Sequence, residues 1–290
     1  MSEFLQFLFS GLTTGSIYAV SGLGLAIIYN ASGVINFAQG DFLMIGGMAT
    51  VALLAAGVPL PLAIVLAVLI TVAVGACLQR FALAPAGDSD ALALIIITIG
   101  ASIFIQGIVL LLLDKNQHAL ASFSGDTPIA IGGASLLPQS LWVMGVGAVL
   151  VVLVAAFFRF TLLGKAIRAT AANHMAAQLV GINTRFVLLV SFCLAALLGG
   201  LAGIVAAPIT TTSYDLGLTL GMKGFVAATL GGLGSAFGAV AGGLLVGILE
   251  AMIAGYVSSA YKDAVPFVLI IVILLFRPQG LFGGRVIERV

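Results

Sequence analysis

The sequence predicts an all-α bundle that crosses a membrane about eight to nine times, and three observations carry the prediction. Of 290 residues, 62% are hydrophobic and 7% charged, with a mean hydropathy of +1.28, a balance outside the range of soluble domains. The apolar residues fall in runs suited to the ~30 Å hydrocarbon layer, which takes about 20 helical residues to cross. Glycine numbers 37 and recurs at four-residue spacing, which lets helices approach closely in lipid. A single transmembrane unit over 1–290 is expected, with no soluble domain.

Taken in order, the candidate spans are Phe7 to Tyr29, Gly40 to Ala56, Pro61 to Phe81, Ala91 to Leu113 and Gln139 to Phe158. After a basic loop come Phe186 to Ala207, Leu218 to Gly231, Phe237 to Tyr256 and Ala264 to Phe276. The short Gly-rich runs near Asn36 and Gly221 read as re-entrant or broken helices. The opening MSEF lacks the basic region of a cleaved signal, so the first run is expected to stay as a span. Asp114 to Pro138 reads as an ordered excursion on the extracytoplasmic side.

Lys and Arg in short loops set orientation. Placing the loop between Arg159 and Arg185 in the cytoplasm also puts Arg80, Arg277, Arg285 and Arg289 there, and leaves Lys115, Lys223 and Lys262 outside. That bias of eight against three predicts an outside N-terminus and a cytoplasmic C-terminus. Trp142, Tyr29, Tyr214, Tyr256 and Tyr261 fall near run ends, where amphipathic rings prefer the headgroup level. Cys77 and Cys193 sit in apolar runs as packing residues, and no metal site is expected. The net charge of +1 gives no reason to expect nucleic acid. A G-x-x-x-x-G-K-[ST] phosphate loop does not occur, so ATP chemistry is not expected of this chain and it is not an enzyme.

The basic loop, residues 160–184, holds Lys165, Arg168 and His174 and no acid. A helix from Ala171 to Val180 is expected, capped by Thr170 and stopped by Gly181 in the left-handed conformation. Ala172, Ala176 and Leu179 would share one face, kept shallow by Ala176 and Ala177, with Lys165 and Arg168 at its rim. This surface reads either as a docking site for a soluble partner or as an ordinary helix with topogenic charges.

Asp41 and Glu250 are the acids within apolar runs, and an ionised carboxylate at the bilayer centre costs about 3 kcal/mol. Both must therefore face protein or water. Asp41 reads first as a cap at a helix start and second as a gate residue; Glu250 reads as an interhelical lock or as part of a translocation wall. Asn36, Gln39, Thr98 and Gln106 are candidates for the same polar lining. Gly234, Gly238 and Gly242 form one small-residue row, and Gly243, Gly247, Ala251 and Gly255 a second. Both rows are assigned to helix packing, within the chain or against a second subunit.

The segment Met175-Ala176-Ala177-Gln178-Leu179-Val180-Gly181 resembles the Glu-Ala-Ala-x-x-x-Gly loop of ABC importer permeases, with Met175 where many members carry Glu. Its surroundings, GKAIRATAANHMAAQLVGIN, are similar to the branched-chain amino acid permeases of the LivH family. So are Gly11 to Gly47, Ala91 to Gln106, Gly221 to Ala251 and the closing Phe276 to Gly283. Two elements depart from that pattern: in Asn-Phe-Ala-His-Gly-Glu the places of the His and the acid hold Gln39 and Asp41, and in the loop Met175 removes a carboxylate.

The resemblance implies a permease in a bacterial-type inner membrane that moves branched-chain or related amino acids by alternating access. It implies a second permease subunit, a paralogue or this chain itself, and an extracytoplasmic binding protein. It also implies two cytoplasmic ATPases that hold the ATP and Mg and dock on the loop of Lys165, Arg168, Ala172, Met175, Ala176, Ala177, Leu179 and Gly181. The competing class is an ion-coupled secondary transporter or a channel for a small polar solute, which needs coupling carboxylates or a filter. A membrane scaffold would leave Asp41 and Glu250 without a purpose.

Overall fold

With no water in the hydrocarbon layer, backbone polar groups must be satisfied within each segment, so the apolar runs become helices. A computed structural model describes residues 2–87, 89–277 and 279–283; Arg285 and Arg289, used above for orientation, and Pro278 of the closing block lie outside them. The helices are α1 (Ser2–Ser32), α2 (Gln39–Ala55), α3 (Leu60–Cys77), α4 (Ala91–Leu112) and α5 (Pro138–Phe160). They continue with α6 (Leu162–Ala172), α7 (His174–Leu179), α8 (Thr184–Thr210), α9 (Leu216–Gly231), α10 (Ala236–Tyr256) and α11 (Val265–Phe276). A π-helical turn, Leu78–Leu83, prolongs α3.

Six of these helices are long and apolar enough to cross a membrane, and α2, α9 and α11 are shorter apolar helices. Each apolar run anticipated from sequence is thus a helix. In α1 and α8, 83% and 61% of the most apolar window is buried, against 11% in α4 and 22% in α3 and in α5. The first pair is therefore the centre of the bundle, and the others present their apolar sides outward.

The end of α1 and the start of α8 lie on the same side, because Ala31, Ile167 of α6 and Val187 pack in one cluster. At the opposite side Gln6 of α1 exchanges two hydrogen bonds with Ser135 (2.7 and 2.9 Å), and Thr212 pairs with His118 just beyond α8. Hence α1 and α8 run antiparallel, and the four helices that begin with α8 repeat the first four in inverted sense. The packing follows that relation. α1 lies along α10 as α8 lies along α3, and α9 packs on α1 as α2 packs on α8. α2 meets α9, and α1 meets α8, across the pseudo-symmetry axis.

The two short helices start inside the membrane. Gln39 lies against Gly24, eight residues or about 12 Å before the end of α1. It also donates to Ala195 O (3.2 Å), eleven residues or about 16 Å into α8. Gly40 abuts Gly217 and Gly221 of α9, where an added Cβ would lie 2.7 Å from the Gly221 Cα. Two helix N-termini therefore converge at mid-depth, the broken-helix arrangement seen in transporters with inverted repeats.

The small-residue rows pack within the chain. Gly242 faces Ala227 of α9, Gly243 faces Ala19 and Tyr18 of α1, and Gly247 faces Gly15 and Gly11. Gly238 faces Gly231, and Gly255 faces the ring of Phe7. Gly234 does not continue the helical row. It sits in the α9–α10 turn at φ +96°, so the expected four-residue stripe begins at Gly238. The excursion before α5 contains the hairpin β1 (Ile129–Ile131) and β2 (Ala134–Leu136), turned at Gly132 and Gly133, whose positive φ values match the twist of a two-residue hairpin.

Candidate functional site

Three features carry the polar chemistry of the bundle. The first surrounds the start of α2. Asn36 Oδ1 accepts from Ala38 N (3.1 Å), and Phe37 N donates to Thr98 Oγ1 of α4 (3.3 Å). Gln106 Nε2 of α4 donates to Asp41 Oδ1 (2.9 Å) and to Ser102 Oγ (3.1 Å). Asn36, Gln39, Asp41 and Thr98, all buried, and the half-buried Gln106, dispersed in sequence, thus lie along one polar strip between α2, α4 and α8. Asp41 makes no capping hydrogen bond. Asn36 satisfies the entry to α2, so the sequence reading of Asp41 as the cap is corrected. Its second oxygen, the Asn36 Nδ2 and the Gln39 Oε1 are buried without partners.

Glu250 belongs to a different cluster. Lys223 of α9 reaches Glu250 Oε1 of α10 and Asp263 Oδ1 before α11, both at 2.8 Å, and donates to the Tyr18 hydroxyl at 3.2 Å. The Tyr18 ring centroid lies 5.4 Å from the same ammonium, within cation–π range. One cation thereby joins α1, α9, α10 and the connection to α11, the geometry of an interhelical lock. Lys223 is 6% exposed and lies inside α9, so its placement in an outside loop is corrected. Without it, and within the described residues, the orientation bias is six against two. Its hydrogen bond to Asp263, which lies outside the spans, holds that carboxyl below the usual range. The signal in the sequence was that Lys223 falls within the apolar run Leu218 to Gly231; nothing local names Glu250 as its partner.

The third feature is the basic loop, built as two helices instead of one. Thr161 caps α6 by accepting from Gly164 N (2.9 Å), and Asn173 caps α7 by accepting from Ala176 N (2.9 Å). Asn173 is extended at φ −161° and ψ 108°, which breaks the expected helix from Ala171 to Val180. Thr170 is buried within α6 and donates back to Ala166 O (2.9 Å), so it caps nothing. At the other end Gly181 takes φ +86°. Ile182 N returns to Ala177 O and Gly181 N to Gln178 O, each at 3.0 Å, the paired bonds of a Schellman stop.

The break also redistributes the surface. Ala172 lies on α6 and does not share a helix face with Ala176 and Leu179. Ala177 packs inward. Met175, Leu179 and Val180 are 74%, 84% and 76% exposed, beside exposed Ala176, Lys165 and Arg168. An apolar knob with a basic rim stands free of the bundle, on the side where α1 ends.

The family described as "Branched-chain amino acid transport system / permease component" matches residues 7–274. The high-affinity branched-chain amino acid transport system permease protein LivH of Escherichia coli (strain K12) is 36% identical over 99% of this chain and 98% of its own. BraD of Pseudomonas aeruginosa, a permease protein of the same description, is 33% identical over the same shares. The ribose import permease protein RbsC of Escherichia coli (strain K12) is 26% identical over 92% of this chain and 84% of its own. Among solved structures, PsaBC from Streptococcus pneumoniae in complex with Fab aligns with a TM-score of 0.52 and 13% identity, covering 94% of this chain and 92% of that one. That likeness is one of fold.

Proposed function

The chain belongs to the LivH family of ABC transporter permeases for branched-chain amino acids, and on that premise we propose that it forms, with a second permease subunit, the membrane path of an ATP-driven importer. The cargo is a branched-chain or related amino acid, received from an extracytoplasmic binding protein and released to the cytoplasm by alternating access. Two cytoplasmic ATPases hold the ATP and Mg and dock on α6 and α7. The N-terminus lies outside and the C-terminus in the cytoplasm. The observation that carries this reading is the exposed Met175–Leu179–Val180 knob. Large apolar side chains standing in water on the basic side of a membrane protein are explained by a partner that covers them.

Alternating access draws support from the inverted halves, whose broken helices α2 and α9 meet at mid-depth. The patch of Asn36, Gln39, Asp41, Thr98 and Gln106 at that junction is the proposed gate. Glu250, engaged by Lys223, is assigned to holding α9 and α10 together.

The test is copurification with the candidate ATPases, followed by ATP hydrolysis in proteoliposomes with the binding protein and leucine. Leucine with its binding protein is expected to raise hydrolysis severalfold. Ala176→Glu is expected to abolish most of that stimulation while the chain stays in the membrane; full stimulation in this variant would remove α7 from the coupling surface. Neutralising Lys165 and Arg168 together is expected to lower ATPase recovery several-fold at low salt. Recovery equal to wild type would assign those charges to topology alone. An ion-coupled carrier would instead take up leucine without any ATPase.

A further inference from the structure

Next to its exposed knob, α7 borders a cavity of about 890 Å³, within the usual size range of ligand pockets. The cavity lies between the end of α1, the π turn after α3, the start of α4 and the α6–α8 segment. Arg185 and His174 line it, and among the described residues neither has an ion-pair partner. Gln79 lines it too; the π turn of Leu78–Leu83 places this amide there, and such turns concentrate at functional sites. Asn36, whose Nδ2 has no partner, borders the cavity beside Thr98. Ile28, Leu83, Leu94, Leu188 and Phe192 supply apolar wall. Among the described residues no carboxylate lines it.

Cationic and amide donors beside an apolar wall suit an amphiphile with one anionic end and an aliphatic body. We propose that this cavity binds a small aliphatic carboxylic acid from the side of the membrane that carries α6 and α7, and that the occupant restrains α7. Asn173, His174 and Gln178 of the α7 region face the cavity, and Gln178 also bonds Thr184 of α8 (3.1 Å). A carboxylate held by His174 and Arg185 ties α7 to α8 by a second link, so occupancy acts on the helix that carries the docking knob. The inference rests on the importer reading for its consequence, which is feedback from an internal acid on coupling. The 2-oxo acid formed when the imported amino acid passes its amine to an acceptor has this chemistry, whereas the amino acid itself carries an ammonium that the Arg185 guanidinium disfavours.

The test uses the full-length chain alone in lipid nanodiscs, with calorimetric titration of L-leucine and of 4-methyl-2-oxopentanoate. Saturable binding of 4-methyl-2-oxopentanoate is expected, with L-leucine at least tenfold weaker. Leucinamide, which lacks the carboxylate, is expected to bind at least tenfold more weakly, and inorganic phosphate not to compete. Arg185→Gln and His174→Gln, both at exposed positions, are expected to weaken binding at least tenfold each, with the thermal midpoint of the unliganded chain unchanged. Amide hydrogen exchange over His174–Leu179 is expected to slow severalfold on binding. Absence of saturable binding by the oxo acid, equal binding of L-leucine or leucinamide, competition by phosphate, or full affinity in both variants would overturn the proposal, as would unchanged exchange in α7. Because no partner is present, a negative result here leaves the importer reading intact. Failure to copurify ATPases would leave the binding result intact.

Discussion

Replacing Lys223 with methionine is expected to destabilise the folded chain by about 3–5 kcal/mol, the cost of removing one partner from a buried ion pair. Methionine fills a similar volume, so lost packing contributes little. The loss arises at Glu250, 8% exposed, whose Oε2 already lacks a partner and whose Oε1 then loses the 2.8 Å ammonium contact. In an apolar surrounding an unpaired carboxylate is far costlier than the pair was stabilising. The measurement is the thermal midpoint and the yield of detergent-solubilised protein. Lys223→Met with Glu250→Gln is expected to recover at least half of the loss, because the orphaned charge is gone. A wild-type midpoint in the single variant would show that Glu250 is neutral or finds water. Asp263→Asn is expected to matter far less, since its side chain is 62% exposed and water replaces the contact.

Gly247→Leu is expected to cost at least about 3 kcal/mol, the upper end of overpacking penalties where neighbours can still shift. At this position they cannot. An added Cβ would meet the Gly15 backbone, with Gly11 O only 2.6 Å away. Reciprocally, a Cβ at Gly11 would lie 2.6 Å from the Ile248 Cα. The only relief is separation of α1 from α10, along an interface that also carries Gly243 against Ala19. Gly100→Ala is the control. Nothing lies within 4 Å of that site on α4, and relief of glycine's backbone entropy is expected to stabilise by about 0.5–1 kcal/mol. Equal midpoints for Gly247→Leu and wild type would mean that the helices part without cost.

The spans and their order were legible because hydrocarbon thickness and backbone hydrogen bonding leave one solution for a long apolar run. The broken character of α2 and α9 was legible from their shortness and glycine content. What sequence could not give was depth and pairing. Lys223 was taken for an outside charge because loops are counted by alternation, and alternation has no place for a cation that a carboxylate on the next helix keeps inside. Glu250 was noticed, but its partner lies 27 positions away. Thr170 and Asn173 are both good cap residues, and local composition cannot rank them. The burial of Thr170 against the bundle decides for Asn173. Asp41 was assigned to the helix start correctly by position, yet Asn36 supplies the entry hydrogen bond, and Gln106 on a distant helix takes the carboxylate.

The place of α5 has a consequence for how such a chain can change. It stands between two four-helix halves that insert in opposite directions, and they do so only because the number of crossings before α8 is odd. Removing or adding one crossing ahead of α8 would thread the second half upside down. Lys223 and Glu250 would invert together and leave Tyr18 of α1 towards the opposite face of the bilayer, and the Gly-lined seam between α1 and α10 would lose its register. Loops here can lengthen and side chains can drift, but α5 is a parity element. The side it turns away from the bundle is free to vary while its existence is not.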